Sequence, residues 1–229
     1  MIVTRDLSKR YRKDGQIVEA LSQVNLDVAK GEFVVVRGKS GSGKSTLLNL
    51  LGALARPSSG TVTIAVTRVD CLRGAAATAF RAQHVGIVFQ MFHLVPYLSL
   101  LENVLLPELA AASSEKKHGA LRARAKALLA EFGLAGRAAH RPAELSAGER
   151  QRGAIARAIL RQPELLLADE PTGNLDPENA GLVLACLQRY RTQGKTVILV
   201  THDDLSGEKA PNARVVRLEN GRVHTDNNK

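Results

Sequence analysis

The chain has little of what builds several large protein classes. Its two cysteines in 229 residues, Cys71 and Cys186, stand far apart and join no C-x-x-C or Cys/His cluster, so neither a disulfide scaffold nor a zinc site is indicated. Both read as ordinary buried or half-buried thiols. The six histidines are scattered, none at metal-ligand spacing from another. Tryptophan is absent and aromatic residues make up 3% of the chain, too few for the base-stacking platforms of a single-strand binder. No run approaches the roughly 20 uncharged apolar residues of a spanning helix, and charges crowd the start MIVTRDLSKRYRK, where a signal peptide needs an apolar core. A cytoplasmic protein is expected.

What is present is a chain with 45% hydrophobic residues, long enough to bury roughly 70–75% of its unfolded surface as one compact domain. The net charge of +10 admits two readings, attraction to nucleic acid or a membrane surface, and a basic solvated face. Much of the excess lies in Arg122, Arg124, Lys126, Arg137, Arg141, Arg150 and Arg152, interleaved with alanine and leucine at helical spacing.

The first sixty residues read as short strands, partly antiparallel. Asp14-Gly15 marks a turn, Val24 to Val28 alternates, and Lys30-Gly31 precedes the apolar run Phe33 to Val36. A glycine-rich turn follows, and leucines at helical spacing from Thr46 to Leu54 predict strand, loop, helix. From about Asn103 to Leu160 strong helix formers dominate, broken by Ser113-Ser114, Gly133, Gly136 and Pro142, which predicts a mainly helical insert. Glu164 to Ala168 and Thr196 to Val200 have the uninterrupted apolar character of parallel strands covered on both faces, with a helix from about Pro177 to Gln193 between them. Asn220-Gly221, flanked by Val215 to Leu218 and Arg222 to His224, predicts a hairpin.

Gly38-Lys39-Ser40-Gly41-Ser42-Gly43-Lys44-Ser45, followed by Thr46, fits G-x-x-x-x-G-K-S/T in full between a predicted strand and helix. Glycines let backbone N–H groups converge on phosphate oxygens, Lys44 reaches the β and γ phosphates, and the Ser45 hydroxyl ligates Mg²⁺. This motif predicts a nucleotide and Mg²⁺ without naming the reaction. The apolar strand Leu165 to Ala168 ends in Asp169-Glu170, which brings Asp169 toward a metal beside Ser45 and Glu170 toward the γ-phosphate, where a carboxylate can polarise water.

Leu145-Ser146-Ala147-Gly148-Glu149 reads alone as a helix start with Ser146 at the cap. Together with the phosphate loop and the acidic pair, in that order, it resembles the ABC ATPase signature L-S-G-G-Q, followed here by Gln151-Arg152 and Ala156-Arg157-Ala158. The resemblance spans essentially the whole chain through Tyr11, Gln90 in Val88-Phe89-Gln90, Asp176 in Gly173-Asn174-Leu175-Asp176, and His202 in Val200-Thr201-His202-Asp203. It implies an α/β P-loop NTPase core with a mixed sheet, an N-terminal antiparallel β portion and a helical signature subdomain. Residues 1–90 and 161–229 would form the core and 91–160 the helical part.

By the same resemblance Tyr11 stacks on adenine, Gln90 approaches Mg²⁺ and the attacking water, His202 contacts the γ-phosphate, and Asp176 lies between two copies. Two ATP molecules are sandwiched in a head-to-tail homodimer, with Ser146 and Gly148 of one copy completing the γ-phosphate site of the other. The signature departs from the family at Ala147, costly if that position needs a positive φ, and at Glu149, which adds a charge near phosphate. Phe89 to Pro96, Glu102-Asn103-Val104 and Pro171 to Asp176 are similar to the bacterial lipoprotein-release and macrolide-export type ATPases. That implies a separate integral membrane permease, met through a groove formed in part by residues 91 to 97, and a peripheral place on the cytoplasmic face of the membrane. The alternative is a soluble ABC ATPase acting on nucleic acid in repair, chromosome organisation or translation. It is disfavoured by one uninterrupted ATPase unit without sustained heptads, so no nucleic acid is expected. A plain P-loop kinase is opposed by Glu170, the signature and His202.

Overall fold

The computed structural model describes residues 1–109, 115–202 and 213–227. The chain opens with a long hairpin, β1 (Ile2–Lys13) and β2 (Gln16–Val28), whose turn is Asp14-Gly15 with both residues at positive φ. These strands are longer than the short ones expected. Register shifts near Asp6 and Gln23, each in the left-handed region, let a long ribbon bend while keeping one face buried. β4 (Ser59–Ile64) and β5 (Thr67–Arg68) complete a four-stranded antiparallel sheet in the order β2-β1-β4-β5.

The second sheet has six strands in the order β10-β9-β3-β8-β7-β6. β3 (Phe33–Arg37), β6 (Val85–Val88), β7 (Leu165–Asp169), β8 (Thr196–Thr201) and β9 (Arg214–Glu219) run parallel to their neighbours. β10 (Arg222–Asp226) turns back on β9 through Asn220-Gly221, both at positive φ, as the dipeptide predicts. The sheet is mixed, and its side chains alternate strictly between two cores. Phe33, Val35, Leu166, Ala168, Val197 and Leu199 face a cluster built with α3 (Leu100–Leu109), α4 (Glu115–Glu131), α5 (Ala147–Ile159) and α6 (Pro177–Thr192). Val34, Val36, Leu165, Leu167, Ile198 and Val200 face α1 (Lys44–Leu51) and the antiparallel sheet. Burial on both faces is why these strands lack polar alternation.

α1 starts at Lys44, two residues earlier than the leucine pattern suggests. α2 (Gly74–His84) and β6 carry weaker patterns and were not expected from the sequence. Ser113-Ser114 and Asp203 lie outside the described residues. Cys71 is exposed, contrary to its expected burial, because it follows Asp70 at the end of a surface 3-10 turn. Cys186 is buried in α6, and desolvation pushes its thiol pKa up to about 12. No described helix is long and apolar enough to cross a membrane.

Candidate functional site

β3 delivers the chain from the middle of the six-stranded sheet into the loop 38–43. Gly43 has φ +102°, and a Cβ there would run into the Ala20 carbonyl of β2 and come 2.8 Å from Leu21 Cδ2. Only glycine lets the antiparallel sheet lie this close to the loop. α1 then opens with no side-chain cap, leaving its first N–H groups to an anion. Lys44 Nζ donates to the carbonyls of Gly38 at 2.7 Å and Lys39 at 3.0 Å, which holds the ammonium over the loop.

A cavity of about 560 Å³ lies here. Its lining combines Ser40, Gly41, Gly43, Lys44, Ser45 and Thr46 of the loop and the start of α1 with Ala20 of β2 and with Gln90, Glu170 and His202. Asp169 stands at the end of β7, where its carboxylate accepts from the Ser45 hydroxyl while Oδ1 is buried without a hydrogen-bond partner. Burial raises its pKa above the ordinary value, and the Glu170 charge adds to this against the opposing Ser45 bond and Lys44 charge. The Ser45 hydroxyl and a buried carboxylate oxygen of Asp169 side by side, opening on a phosphate loop, suit a hard divalent cation that takes its other ligands from phosphate and water.

Glu170 has φ +47°, a strained conformation for a non-glycine residue, fixed by its N–H donating to Val200 O at 2.9 Å and its carbonyl accepting from Gly173 at 3.2 Å. The twist leaves the side chain largely buried, and its Oε2 lies 2.6 Å from Nδ1 of the exposed His202. Gln90 arrives from the end of β6 beside this pair, since a Cβ on Gly173 would lie 3.7 Å from Glu170 Oε2 and 3.8 Å from Gln90 Nε2.

Other predicted residues sit elsewhere. Lys39 and Ser42 line a second cavity of about 290 Å³ behind the loop, shared with Leu218 and Asn220, while Gly38 contributes the carbonyl that holds Lys44. Tyr11 does not line the nucleotide cavity. It pairs with Val18 on the hairpin, is 40% exposed, and carries Lys9 Nζ 4.9 Å from its ring centroid. Ser146 and Gly148 do not line the cavity either. Ala20 was not anticipated, because its place against Gly43 comes from the register of β2 and not from its residue type.

A family model described as ABC transporter matches residues 21–173, from β2 through the phosphate loop, the signature and the acidic pair. The chain belongs to the ABC transporter family. It is an ATP-binding, ATP-hydrolysing subunit of that family. The lipoprotein-releasing system ATP-binding protein LolD of Chromohalobacter salexigens is 46% identical over 227 residues, 99% of this chain and 94% of that protein. The macrolide export ATP-binding/permease protein MacB of Rhodopseudomonas palustris is 44% identical over 225 residues, 98% of this chain but 34% of that longer protein. The dimeric ATP-binding cassette MJ0796, solved in a post-hydrolysis state with ADP and Pi, superposes with a TM-score of 0.88 at 38% identity, covering 99% of this chain and 97% of that one.

In this ABC ATPase the signature is a helix start. Ser146 caps α5, accepting from Glu149 N at 3.2 Å, and Glu149 Oε2 accepts in return from Ser146 N at 2.8 Å. Glu149 is thus turned into its own helix, and its other oxygen pairs with Arg137 at 2.9 Å, not with Arg150 or Arg152. Ala147 is the first residue of α5 and is not among the residues with positive φ, so alanine carries no left-handed penalty there.

The capping contacts hold the Glu149 pKa below its ordinary value, first through the Ser146 N–H and then through Arg137. A carboxylate with a lowered folded-state pKa contributes stability above the ordinary carboxylate range and loses it as pH falls through the folded value. Glu149→Ala is expected to cost about 1 kcal/mol in urea unfolding at pH 7. Glu149→Gln keeps the cap and loses only a half-exposed ion pair, worth about 0–1 kcal/mol. Equal losses in the two variants would assign the effect to Arg137 instead of the cap.

Proposed function

We propose that this chain binds MgATP at the loop 38–46 and hydrolyses it as a head-to-tail homodimer that drives a separate membrane permease of the lipoprotein-release or macrolide-export type. The observation that carries this reading is the convergence of Gln90, Glu170 and His202 on the cavity of Lys44 and Ser45. Asp169 and Ser45 would hold Mg²⁺ with Gln90 nearby, and the ion supplies charge neutralisation for the β and γ phosphates. Glu170 takes a proton from the attacking water, and His202, within hydrogen-bond reach of Glu170, orients that carboxylate and faces the γ-phosphate. Ser146 and Gly148, remote from their own cavity, serve the γ-phosphate bound by the partner copy through the open N–H groups and hydroxyl at the start of α5. Tyr11 stands on the same hairpin as Ala20 and supplies the adenine contact.

In this reading the chain is one ABC ATPase domain in which α3 to α5 make up the helical subdomain. A cavity of about 360 Å³, lined by Leu54, Arg81, Phe89, Pro107, Arg157 and Arg161 among others, lies between that subdomain and the core. In the segment that follows Gln90, Met91 and Tyr97 are exposed, 65% and 74% accessible. A permease segment seated there would hold the chain on the cytoplasmic face of the membrane. Of the three relatives above, two are named for lipoprotein release and macrolide export and one as an ATP-binding cassette, and none for repair, chromosome or translation work.

The test is the ATPase rate of the wild type over a range of protein concentrations. A sandwich site needs two copies, so the specific activity is expected to rise with concentration and then level off. A specific activity independent of concentration down to the lowest measurable amounts would count against the shared site.

A further inference from the structure

The turn between β9 and β10 is tied into the phosphate loop. Glu219 and Arg222 pair across it, and its central residues Asn220 and Gly221 have φ +48° and +75°, the signs that a two-residue type I′ turn requires. Turns of this kind ordinarily stand in solvent. Here Gly221 is buried, and both of its backbone polar groups leave the hairpin. Its N–H donates to the Ser42 carbonyl of the phosphate loop at 3.0 Å, and its carbonyl accepts from Ser22 N of β2 at 2.8 Å. Arg222 Nη2 adds a bond to Ser22 Oγ at 3.3 Å. β9 meets the loop as well, since a Cβ on Gly38 would run into the Leu218 carbonyl.

Closing the hairpin does not require this contact, because other dipeptides that reach positive φ close such a turn without being wedged between two elements. Gly221 lies so near β2 that a Cβ on it would come 2.8 Å from the Ala20 carbonyl oxygen and 3.0 Å from Leu21 Cα. The same Ala20 carbonyl blocks a Cβ on Gly43. The backbones of the phosphate loop, β2 and the hairpin turn thus converge on one carbonyl, which only glycine at both 43 and 221 permits.

The bond to Ser42 bears on phosphate binding through peptide geometry. A trans peptide is planar, with its C=O and N–H pointing in opposite directions, so whatever holds the Ser42 carbonyl also sets the direction of the Gly43 N–H. Ser42 lines the cavity behind the loop together with Asn220, and Gly43 lines the nucleotide cavity. We infer that Gly221 is a positioning residue for the phosphate loop: by holding the Ser42 carbonyl it keeps the Gly43 N–H turned toward the nucleotide phosphates. The inference rests on the reading of the loop 38–46 as the phosphate site. Gly41 and Gly43, both at positive φ, leave the intervening peptides free to turn over unless something outside the loop holds them. Fixing the donor in advance lowers the ordering cost of binding. Such a donor serves ground state and transition state alike, so its loss appears in KM and not in kcat.

The experiment compares the full-length wild type with Gly221→Ala and with Gly221→glycolic acid, the latter incorporated by nonsense suppression. The glycolic acid ester removes the N–H donor and adds no side chain, so it decides the matter if the alanine variant folds poorly. Both variants are expected to weaken MgADP binding and raise KM for MgATP on the order of ten-fold, with kcat within about two-fold of the wild type. In the wild type the Gly43 amide proton should move downfield when MgADP is added, as its N–H gains a charged acceptor, and in the variants that movement should shrink. Wild-type MgADP affinity in the glycolic acid protein, even with a lowered melting temperature, would overturn the inference and leave the phosphate-site reading intact. So would a weakened affinity with an unchanged Gly43 response. A Lys44→Ala protein that binds MgADP as tightly as the wild type would instead remove the phosphate-site reading, and the role of Gly221 with it.

Discussion

Replacing Glu170 by glutamine is expected to lower kcat by about 10²–10⁴, the range for loss of a general base. The substitution keeps the shape and size of the side chain, so the left-handed backbone at φ +47° and the Glu170 N–H to Val200 bond are retained. What is lost is a basic oxygen 2.6 Å from His202 Nδ1. MgATP affinity should be kept or improved, because Lys44, Ser45 and Asp169 are untouched and one negative charge near the γ-phosphate is gone. Steady-state turnover by coupled assay, with nucleotide affinity measured separately, checks this. A fall in affinity that accounts for the whole loss would place Glu170 in binding and not in proton transfer.

Gly148→Ala is also expected to damage turnover, although it adds one methyl group outside the nucleotide cavity. A Cβ at Gly148 would lie 2.5 Å from Asn179 Cγ and closer still to its Oδ1. Asn179 cannot easily yield. Its Nδ2 donates to Asp176 Oδ2 at 2.7 Å, its backbone N–H donates to Asp176 Oδ1 at 3.0 Å, and Arg152 Nη1 donates to its Oδ1 at 3.1 Å. The methyl group must push the start of α5 away from the start of α6 or break this network, with about 1–3 kcal/mol lost from stability as in other overpacked sites. Because Ser146 and Asp176 both sit on the displaced edge, ATPase activity should fall by more than ten-fold where the sandwich is limiting, while MgADP binding to the isolated chain stays near the wild type. Thermal unfolding with parallel ATPase and MgADP titrations separates the two effects. Wild-type turnover in Gly148→Ala would show that the α5–α6 contact has no part in closing the site.

The phosphate loop was legible because its chemistry dictates residue types: a left-handed glycine against β2, a lysine that reaches phosphate and a serine at the metal. Asp169-Glu170 was equally plain, since two acids ending an apolar run are rare without a function. The C-terminal hairpin followed from Asn220-Gly221 and the N-terminal turn from Asp14-Gly15, and both dipeptides take the positive φ values that such turns demand. The region 59–84 was not legible, as β4 pairs with β1 through backbone bonds that leave little imprint on side-chain pattern. Nor were Arg157 and Asn103, whose partners are backbone carbonyls and amides distant in sequence. The doubt over Ala147 and Glu149 dissolves for local reasons: the first is ordinary helix, and the second is occupied with Ser146 and Arg137.

In the proposed mechanism ATP holds two copies of this chain together and hydrolysis at Glu170 releases them. The most direct test is the solution mass of Glu170→Gln by gel filtration with light scattering, with and without MgATP. The expected result is a monomer without nucleotide and a stable dimer with MgATP. A protein that stays monomeric at saturating MgATP, or that goes on hydrolysing at the wild-type rate, would contradict it.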